Sequence, residues 1–537
     1  MDILIKNGNI IDGTGNPWYH SDIGIENGKI AKIQPNLNES DAEKVIDAKN
    51  LIVCPGFIDM HSHTDVYLTF YSKMDAAVHQ GITTAVVGMC GEGIAPIPPD
   101  KLNIFKELFK PPMGGQIRIT WSTYKEYLEQ MGKLRLPANL IFVIGFGTVR
   151  IAGGPGFENR PPTDKELEQM KNYIAEAMEA GAFGMSTGLI YAPQVYAKTD
   201  EIIELAKVVA KYNGLYFSHI RGEANTLIKA VKEFIEIVEK SGCVGGQIAH
   251  HKVAGKAFWG LSKETLRLIE DANTKGISIT FDQYPYNRGQ SDLASTLPPW
   301  AREGGKEKIL ERLRDPKIQE EIKNDLLKES NEWENWIETN GFDHLYVTFF
   351  KKKEWKHLEG LSVADVAKEM GDQDVFETFF KILIENNADV PTTIESMNEE
   401  DIRRIMTSPY QMFGTDSAAM WLLPGFKIFH PRTFGTFPKV LEKYVRDEKL
   451  LTLENAIRKM TSFPAQRLGL KDRGLLREGL WADVVIFDPK TIRDKTTFSE
   501  PHKFPEGIPY VIINGELILE NGKQLRKYPG KILRRPS

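Results

Sequence analysis

The chain is organised around the stretch Pro55-Gly56-Phe57-Ile58-Asp59-Met60-His61-Ser62-His63-Thr64-Asp65, which continues the apolar run at residues 51–54. A short apolar run of this kind is typical of a buried strand. Side chains two residues apart point to the same side of a strand, so His61 and His63 emerge together at its carboxyl end. Both can then bind one metal ion. A catalytic metal needs about three protein ligands, so further ligands must come from elsewhere in the chain.

Length and composition describe a globular chain with more than one domain. The 537 residues exceed the roughly 250–300 at which one hydrophobic core stops growing. Hydrophobic residues make up 41% and charged residues 26% of the chain, which is ordinary for a globular enzyme and excludes general disorder. The net charge is −5 and basic residues form no long run, so we expect no nucleic-acid partner.

The sequence also indicates the compartment. No window approaches about 18 consecutive apolar residues, so we expect no membrane partner. The amino terminus has an acidic second residue and no long apolar core, unlike a signal peptide. Only three cysteines occur, Cys54, Cys90 and Cys243, which argues against a disulfide framework. These features predict a cytoplasmic protein.

Both ends of the chain carry short alternating segments. Residues 1–50 alternate apolar and polar side chains between Asn-Gly and Asp-Gly turns, and the same style returns at residues 483–488 and 509–519. Such segments predict antiparallel strands joined by tight turns. We therefore expect residues 1–54 and 475–537 to meet in one small β domain.

The middle of the chain, residues 55–474, alternates buried strands with helices. Apolar runs that predict parallel strands lie at residues 83–88, 140–145, 183–186, 215–218, 244–249 and 277–281. Repeated strand–helix alternation favours an α/β barrel or a doubly wound sheet. A charged, helical segment at 287–345 interrupts the pattern before the last predicted strand, at residues 410–414. An inserted lid over the site and a packing or oligomer element fit this segment equally well.

Further metal-binding residue types follow several of these strands. Cys90, His219, His250 and Asp416 each come at or just after a strand end. In a barrel, the carboxyl ends of the strands meet at one face. Each residue alone is more often structural, but together with the first two histidines they predict one metal centre. Imidazoles, a thiolate and a carboxylate suit zinc, which can lower the pKa of a bound water to about 7, and a nearby carboxylate can then move its proton.

A set of motifs resembles the N-acyl-D-amino-acid deacylases (D-aminoacylases) of the amidohydrolase superfamily over nearly the whole chain. The resemblance implies an α/β fold, namely a TIM-like (β/α)8 barrel with a small β-sandwich domain built from both termini and an insertion before the last barrel strand. The motifs are the opening Pro-Gly-Phe-Ile-Asp-x-His-x-His-x-Asp, Gly88-x-Cys90-Gly91, Ser186-Thr187-Gly188, His219-x-Arg221-x-Glu223, His250-His251-Lys252, Tyr284-Pro285-Tyr286, Gly414-Thr415-Asp416, His430-Pro431-Arg432 and Leu480-Trp481-Ala482-Asp483.

The resemblance also implies the roles of the metal-binding residues. One zinc ion is expected to be held tightly by Cys90, His219 and His250, and a second, weaker position lies near His61, His63 and Asp416. Asp416 is expected to act as general base and then as general acid. The family uses this cysteine where dihydropyrimidinase-like relatives use a carbamylated lysine on the fourth strand, and residues 183–189 contain no lysine.

For the substrate, the resemblance implies a small molecule with a free carboxylate. Lys252, Tyr284 and Arg432 are expected to bind that carboxylate, and Tyr191 is a further hydrogen-bond donor or a wall residue. Arg can bind a carboxylate bidentately, whereas Lys acts as a point charge. The expected reaction is zinc-dependent hydrolysis of the amide bond of N-acyl-D-amino acids, giving a carboxylic acid and a free D-amino acid. Strand alternation lets only one of His250 and His251 face the metal, and the family pattern selects the first.

The sequence departs from the family pattern in three places: Phe146 replaces a histidine, Gln290 replaces a serine, and Thr415 and Ser417 replace serine and glycine. Phe146 and Gln290 leave the preference for the substrate side chain open. Two other functions fit the same scaffold. One is hydrolysis of cyclic amides, as in dihydropyrimidinases and hydantoinases. The other is a catalytically silent scaffold protein, which would be expected to lose metal ligands. The sequence leaves open whether the chain forms a homo-oligomer.

Overall fold

The computed structural model describes residues 1–108, 118–418 and 430–535. Its strands are β1 Ile3–Ile10, β2 Tyr19–Glu26, β3 Lys29–Gln34, β4 Lys44–Asp47, β5 Ile52–Pro55, β6 Phe57–Asp59, β7 Ile82–Val87, β8 Asn139–Phe142, β9 Ile144–Gly145, β10 Gly184–Gly188, β11 Leu215–His219, β12 Gly245–Ile248, β13 Ile279–Gln283, β14 Arg288–Asp292, β15 Leu345–Val347, β16 Pro391–Glu395, β17 Gln411–Phe413, β18 Val484–Phe487, β19 Tyr510–Ile513, β20 Glu516–Glu520, β21 Lys523–Gln524 and β22 Ile532–Leu533.

Helices alternate with the central strands. Those of the described residues are α1 Asp75–His79, α2 Leu102–Leu108, α3 Tyr124–Met131, α4 Phe146–Gly153, α5 Asp164–Glu179, α6 Thr199–Lys211, α7 Leu227–Ser241, α8 Ser262–Thr274, α9 Lys306–Leu313, α10 Pro316–Leu326, α11 Trp336–Asn340, α12 Val363–Met370, α13 Val375–Glu385, α14 Glu399–Thr407, α15 Arg432–Lys439, α16 Leu453–Met460 and α17 Ser462–Leu468. α15 continues as π-helical turns over Val440–Asp447. Among the described residues, no helix is both long and apolar enough to cross a membrane.

Local sequence explains where several of these helices begin and end. α5 starts with a capping box, in which the Thr163 side chain accepts from the Glu166 amide and the Glu166 side chain accepts from the Thr163 amide. α7 ends at Gly242, whose positive φ of 74° is a conformation that glycine adopts without a steric penalty. These signals fix helices of the length needed to return the chain to the next parallel strand.

The two ends of the chain share one nine-stranded sheet. Its order is β21-β20-β19-β18-β5-β1-β2-β3, and β4 pairs with β1. β5 joins the two halves, because it pairs parallel with β1 and antiparallel with β18. Buried side chains of both halves, including Ile5, Val53 and Ile486, form one core beneath the sheet. The last strand, β22, is not part of this sheet, and it pairs parallel with β8 in the central region.

The central strands are parallel and confirm the α/β fold. One sheet has the order β22-β8-β7-β6, and another has the order β17-β13-β12-β11-β10-β9. Backbone hydrogen bonds connect the two sheets on both sides: the Phe183 amide donates to Phe142 O (2.9 Å), and the Met60 amide donates to Phe413 O (3.2 Å). The carboxyl ends of β6, β7, β11, β12 and β17 therefore face a common region.

The segment between β13 and β17 forms its own layer. β14, β15 and β16 make a three-stranded antiparallel sheet in the order β14-β16-β15, and α9–α13 pack with it around a separate hydrophobic core. The inserted segment is therefore not purely helical. The polar sequence of β14, Arg-Gly-Gln-Ser-Asp, has no apolar alternation that would indicate a strand, and its strand geometry comes from pairing with β16.

Candidate metal centre and active site

The six predicted metal-binding residues come together at the carboxyl ends of the parallel strands. His61 and His63 follow β6, Cys90 follows β7, His219 ends β11, His250 follows β12, and Asp416 follows β17. Five of them line one cavity of about 360 Å³, and the imidazole of His61 is fully buried behind it. The parallel arrangement of the strands explains why these residues converge, because the carboxyl ends of parallel strands lie along the same edge of the sheet.

One cluster contains His61, Cys90, His250 and Asp416, whose ligand atoms all lie within 4.8 Å of one another. His61 Nε2 lies 3.4 Å from Cys90 Sγ and 3.2 Å from Asp416 Oδ1. Cys90 Sγ lies 3.7 Å from His250 Nε2. His63 joins this group through Nε2, which is 3.2 Å from the same carboxylate oxygen. A sulfur, three ring nitrogens and a carboxylate thus surround one point.

A second cluster contains His219, Glu223 and His250, and it shares His250 with the first. His219 Nε2 lies 3.7 Å from Glu223 Oε1, and the rings of His219 and His250 meet edge to face at 4.3 Å. Both ring nitrogens of the buried His219 lack a hydrogen-bond partner among the described residues. A buried imidazole without a partner is costly unless a cation binds it, so these residues fit a metal ion.

The backbone at this centre is held in an uncommon conformation. Cys90, His250 and Asp416 have φ values of 56°, 37° and 49°, which is the left-handed region that non-glycine residues rarely adopt. Such conformations cost about 1–3 kcal/mol each and persist where the surrounding structure imposes them. The backbone at Gly414 also lies close to His61, since a Cβ at position 414 would be 2.6 Å from the His61 Cβ. The fold therefore aims these side chains at the cost of local strain.

The electrostatic environment of the centre favours the ionised forms of the Cys90 and Asp416 side chains. Burial raises the pKa of the Cys90 thiol, but the neighbouring imidazoles of His61, His219 and His250 lower it by more. The pKa of Cys90 therefore lies well below the usual range. Burial also raises the pKa of the Asp416 carboxyl, but Arg432 and His61 outweigh this and bring its pKa well below the usual value. A thiolate and a carboxylate are the forms that bind metals.

Two carboxylates to which the sequence analysis gave no role lie beside the histidines. Glu223 Oε1 lies 3.1 Å from His250 Nδ1, and Asp282 Oδ1 lies 3.3 Å from His61 Nδ1. The Lys252 ammonium, 2.7 Å from His250 Nδ1, can only donate to that nitrogen, so Glu223 contacts the Lys252–His250 pair as a counter-charge. Glu223 was part of a motif but had no assigned role. The signal for Asp282 was an acidic residue inside the buried strand β13.

The residues expected to bind substrate line the same cavity. Lys252, Tyr284, Arg432 and Tyr191 all border it. Arg432 Nη1 pairs with Asp416 Oδ2 at 2.7 Å, and Lys252 Nζ pairs with Glu223 Oε1 at 2.6 Å. The Tyr284 hydroxyl and Arg432 Nε are buried but have no hydrogen-bond partner among the described residues. These two donors are available to a ligand in the cavity.

The other residues singled out in the sequence lie in three different places. His251 points away from the cavity, packs edge to face against Phe281, and has Nε2 2.9 Å from Thr265 Oγ1. Phe146 is fully buried at the start of α4. Gln290 is half-buried and lines the cavity. Ser417 lines it too, so these two departures from the family pattern border the space available to a ligand.

Comparison with known proteins identifies the family. A model of the Amidohydrolase family matches residues 44–318 and 391–519. A D-aminoacylase from Alcaligenes xylosoxydans xylosoxydans is 32% identical, with alignment over 100% of this chain and 98% of the relative. The predicted resemblance to the N-acyl-D-amino-acid deacylases is thereby confirmed.

Solved structures give the same result. The N-acyl-D-glutamate deacylase from Bordetella bronchiseptica, complexed with zinc and a phosphonate mimic of the tetrahedral intermediate, has a TM-score of 0.82 at 31% identity and covers 99% of each chain. A D-aminoacylase structure concerned with a binuclear metal centre has a TM-score of 0.81 at 31% identity, covering 99% of this chain and 100% of that one. This chain belongs to the amidohydrolase family, within the group of N-acyl-D-amino-acid deacylases.

Proposed function

We propose that this protein hydrolyses the amide bond of N-acyl-D-amino acids and releases a carboxylic acid and a free D-amino acid. The observation that carries the proposal is that one cavity holds two kinds of group. The first is the metal-binding cluster, and the second is a pair of buried hydrogen-bond donors, the Tyr284 hydroxyl and Arg432 Nε, that have no partner among the described residues. The first would act on the amide and the second would hold the amino acid's carboxylate. The names of the relatives, D-aminoacylase and N-acyl-D-glutamate deacylase, support the D configuration.

We propose that Cys90, His219 and His250 hold one zinc ion tightly, and that His61, His63 and Asp416 provide a second, weaker position. Two overlapping donor clusters that share His250 support two neighbouring positions. Because Cys90 and His250 also belong to the cluster of His61 and Asp416, the two positions would share ligands. When bound, zinc would polarise the acyl carbonyl and bring the pKa of a water molecule to about 7.

The chain's own residues would position the substrate and move the proton. Asp416, kept ionised by Arg432, would accept the proton of the attacking water and pass it to the departing amine. Arg432 and the Tyr284 hydroxyl would bind the α-carboxylate, and Lys252 would add a positive charge beside them. Tyr191, whose ring lies edge to face 5.0 Å from that of His219, would donate to the developing oxyanion.

We further infer the domain organisation that serves this site. Residues 55–474 would form a closed eight-stranded barrel, which the hydrogen bonds between the two parallel sheets support. Residues 1–54 and 475–537 would form the small β-sandwich domain. Residues 287–345 would act as a lid, because Trp336 borders the cavity and Glu334 Oε1 accepts a 3.0 Å hydrogen bond from the Glu223 amide.

The test is a panel of N-acetyl-D-amino acids and their L-enantiomers, assayed with zinc-loaded protein. We expect turnover of the D series that needs metal, and little turnover of the L series. Asp416→Asn is the control, and it should lower kcat/KM by about 10²- to 10⁴-fold while zinc remains bound. Equal rates on both enantiomers, or a fully active Asp416→Asn protein, would contradict the proposal.

Two further assays separate the alternative functions. Hydantoins and dihydropyrimidines in the same panel test hydrolysis of cyclic amides, and we expect no metal-dependent turnover of them. Zinc analysis of the purified protein tests the silent scaffold. A protein that contains no zinc and takes up none would favour the scaffold, although all six predicted ligands are present in the sequence.

A further inference from the structure

A second cavity adjoins the metal cavity. It has a volume of about 240 Å³ and shares four wall residues with the cavity of about 360 Å³ that holds the metal-binding cluster. The shared residues are Val66, Tyr67, Glu92 and Tyr191. Tyr191 also contacts the His219 ring, with 5.0 Å between the ring centroids, so the shared wall lies beside a proposed metal ligand.

The two cavities differ in chemistry. Beyond the shared wall, the second cavity is bordered by apolar side chains such as Ile151, Phe157 and Pro193. Among the described residues that line it there is no lysine or arginine, and Glu92 is its one acidic residue. The metal cavity, in contrast, carries Lys252 and Arg432. The metal cavity therefore carries positive charge, whereas the second cavity carries none and is mostly apolar.

We propose that the second cavity is the acyl-group subsite and that the protein accepts N-acyl groups with hydrocarbon chains longer than acetyl. This inference rests on the proposed function. An N-acyl amino acid whose carboxylate binds at Arg432 and Tyr284 has its amide at the metal-binding cluster. Its acyl chain must then continue away from the cations. Of the described cavities that border the metal cavity, the one beyond Tyr67 and Tyr191 is apolar and free of positive charge.

Physical chemistry gives the expected size of the preference. Burying one methylene group is worth about 0.8 kcal/mol, or about fourfold in kcat/KM when it is buried in the transition state. Lengthening the chain from acetyl to hexanoyl should therefore raise kcat/KM by at least about tenfold. A terminal carboxylate should be disfavoured, because it would lie beside Glu92 in an apolar space. N-succinyl and N-butanoyl groups have the same number of carbons and form the matched pair for this comparison.

The experiment measures kcat/KM for acetyl, butanoyl, hexanoyl and succinyl derivatives of one D-amino acid, using zinc-loaded protein. Ile151→Trp fills the subsite and should lower kcat/KM for the hexanoyl substrate at least tenfold while changing the acetyl value less than about threefold. Phe157→Trp, at a half-buried position of the same wall, is a second blocking variant should the first fail to fold. Ile104→Trp is the control, because Ile104 is an exposed residue that borders neither cavity.

The outcomes separate this inference from the proposed function. A preference for the longer chains that disappears in the blocking variants, with butanoyl favoured over succinyl, supports the acyl subsite. Hydrolysis of the acetyl substrate with no gain from longer chains overturns the subsite alone. Blocking variants that slow all substrates equally also overturn it. No hydrolysis of any member of the series overturns the proposed function, and the subsite with it.

Discussion

The guanidinium of Arg432 lies 2.7 Å from the carboxylate of Asp416. The residue proposed to bind the substrate carboxylate therefore also sets the charge of the proposed general base. Arg432 can serve both partners because a guanidinium carries five N–H donors, and its Nε is unpaired among the described residues. In the proposed mechanism, substrate binding and proton transfer would thus be coupled through one cation.

Replacing Arg432 by Gln tests this coupling through the pH profile. Arg432 lowers the pKa of Asp416, so its removal should raise that pKa toward the ordinary range. Because the base must be ionised, the acidic limb of the kcat/KM profile should move to higher pH, and KM should rise at least about tenfold. Arg288→Gln, which breaks the pair with Glu395, should leave the limb in place. An unmoved acidic limb in Arg432→Gln would count against the coupling.

Cysteine alkylation tests the metal centre. The pKa of Cys90 lies well below the usual range because of its imidazole neighbours, whereas burial raises the pKa of Cys243 to about 11 and that of Cys54 well above its usual value. In protein stripped of metal at pH 7, iodoacetamide should therefore modify Cys90 and leave the other two unmodified. Added zinc should protect Cys90. Peptide mass spectrometry reads all three sites, and equal modification with and without zinc would argue against Cys90 as a ligand.

The carboxylates beside the histidines should affect metal affinity. Glu223→Gln and Asp282→Asn each remove a carboxylate charge that lies beside a proposed ligand, His250 or His61, and would help to orient it. We expect the zinc dissociation constant to rise about 10- to 100-fold in each variant, measured by competition with a chelating dye. Glu233→Gln is the matched control, since Glu233 pairs with Arg221 instead. An unchanged affinity in both test variants would contradict an orienting role.

A buried lysine outside the site should contribute to stability. Lys459 Nζ on α16 donates to Met406 O (3.0 Å) and Gln411 Oε1 (3.1 Å), and so holds the segment that enters β17. Lys459→Met leaves these buried acceptors without a donor, which should lower the free energy of unfolding by about 2–4 kcal/mol. Urea denaturation measures the change. Lys471→Met, at an exposed position, should change it by less than about 0.5 kcal/mol, and equal midpoints for the two variants would contradict the expectation.

The sequence alone was sufficient for the family and the α/β fold, and it named six candidate metal-binding side chains that the structure brings together. Histidines, a cysteine and an aspartate at successive strand ends are visible without coordinates, because a strand's period of two fixes where its side chains point. The same local rule let only one of His250 and His251 face the metal, the family pattern selected His250, and the structure has His251 packed against Phe281. Each of these inferences depends on residues that are close together in the sequence.

Only the tertiary structure decided which of these groups meet. The pairing of Arg432 with Asp416, the sharing of His250 by two clusters, and the places of Glu223 and Asp282 behind the histidines all join residues from different strands. The distances between such residues depend on the register and packing of the whole sheet, which no local periodicity specifies. For the same reason the apolar cavity beyond Tyr191 could not be read from the sequence, because its walls come from segments that touch only in the folded chain.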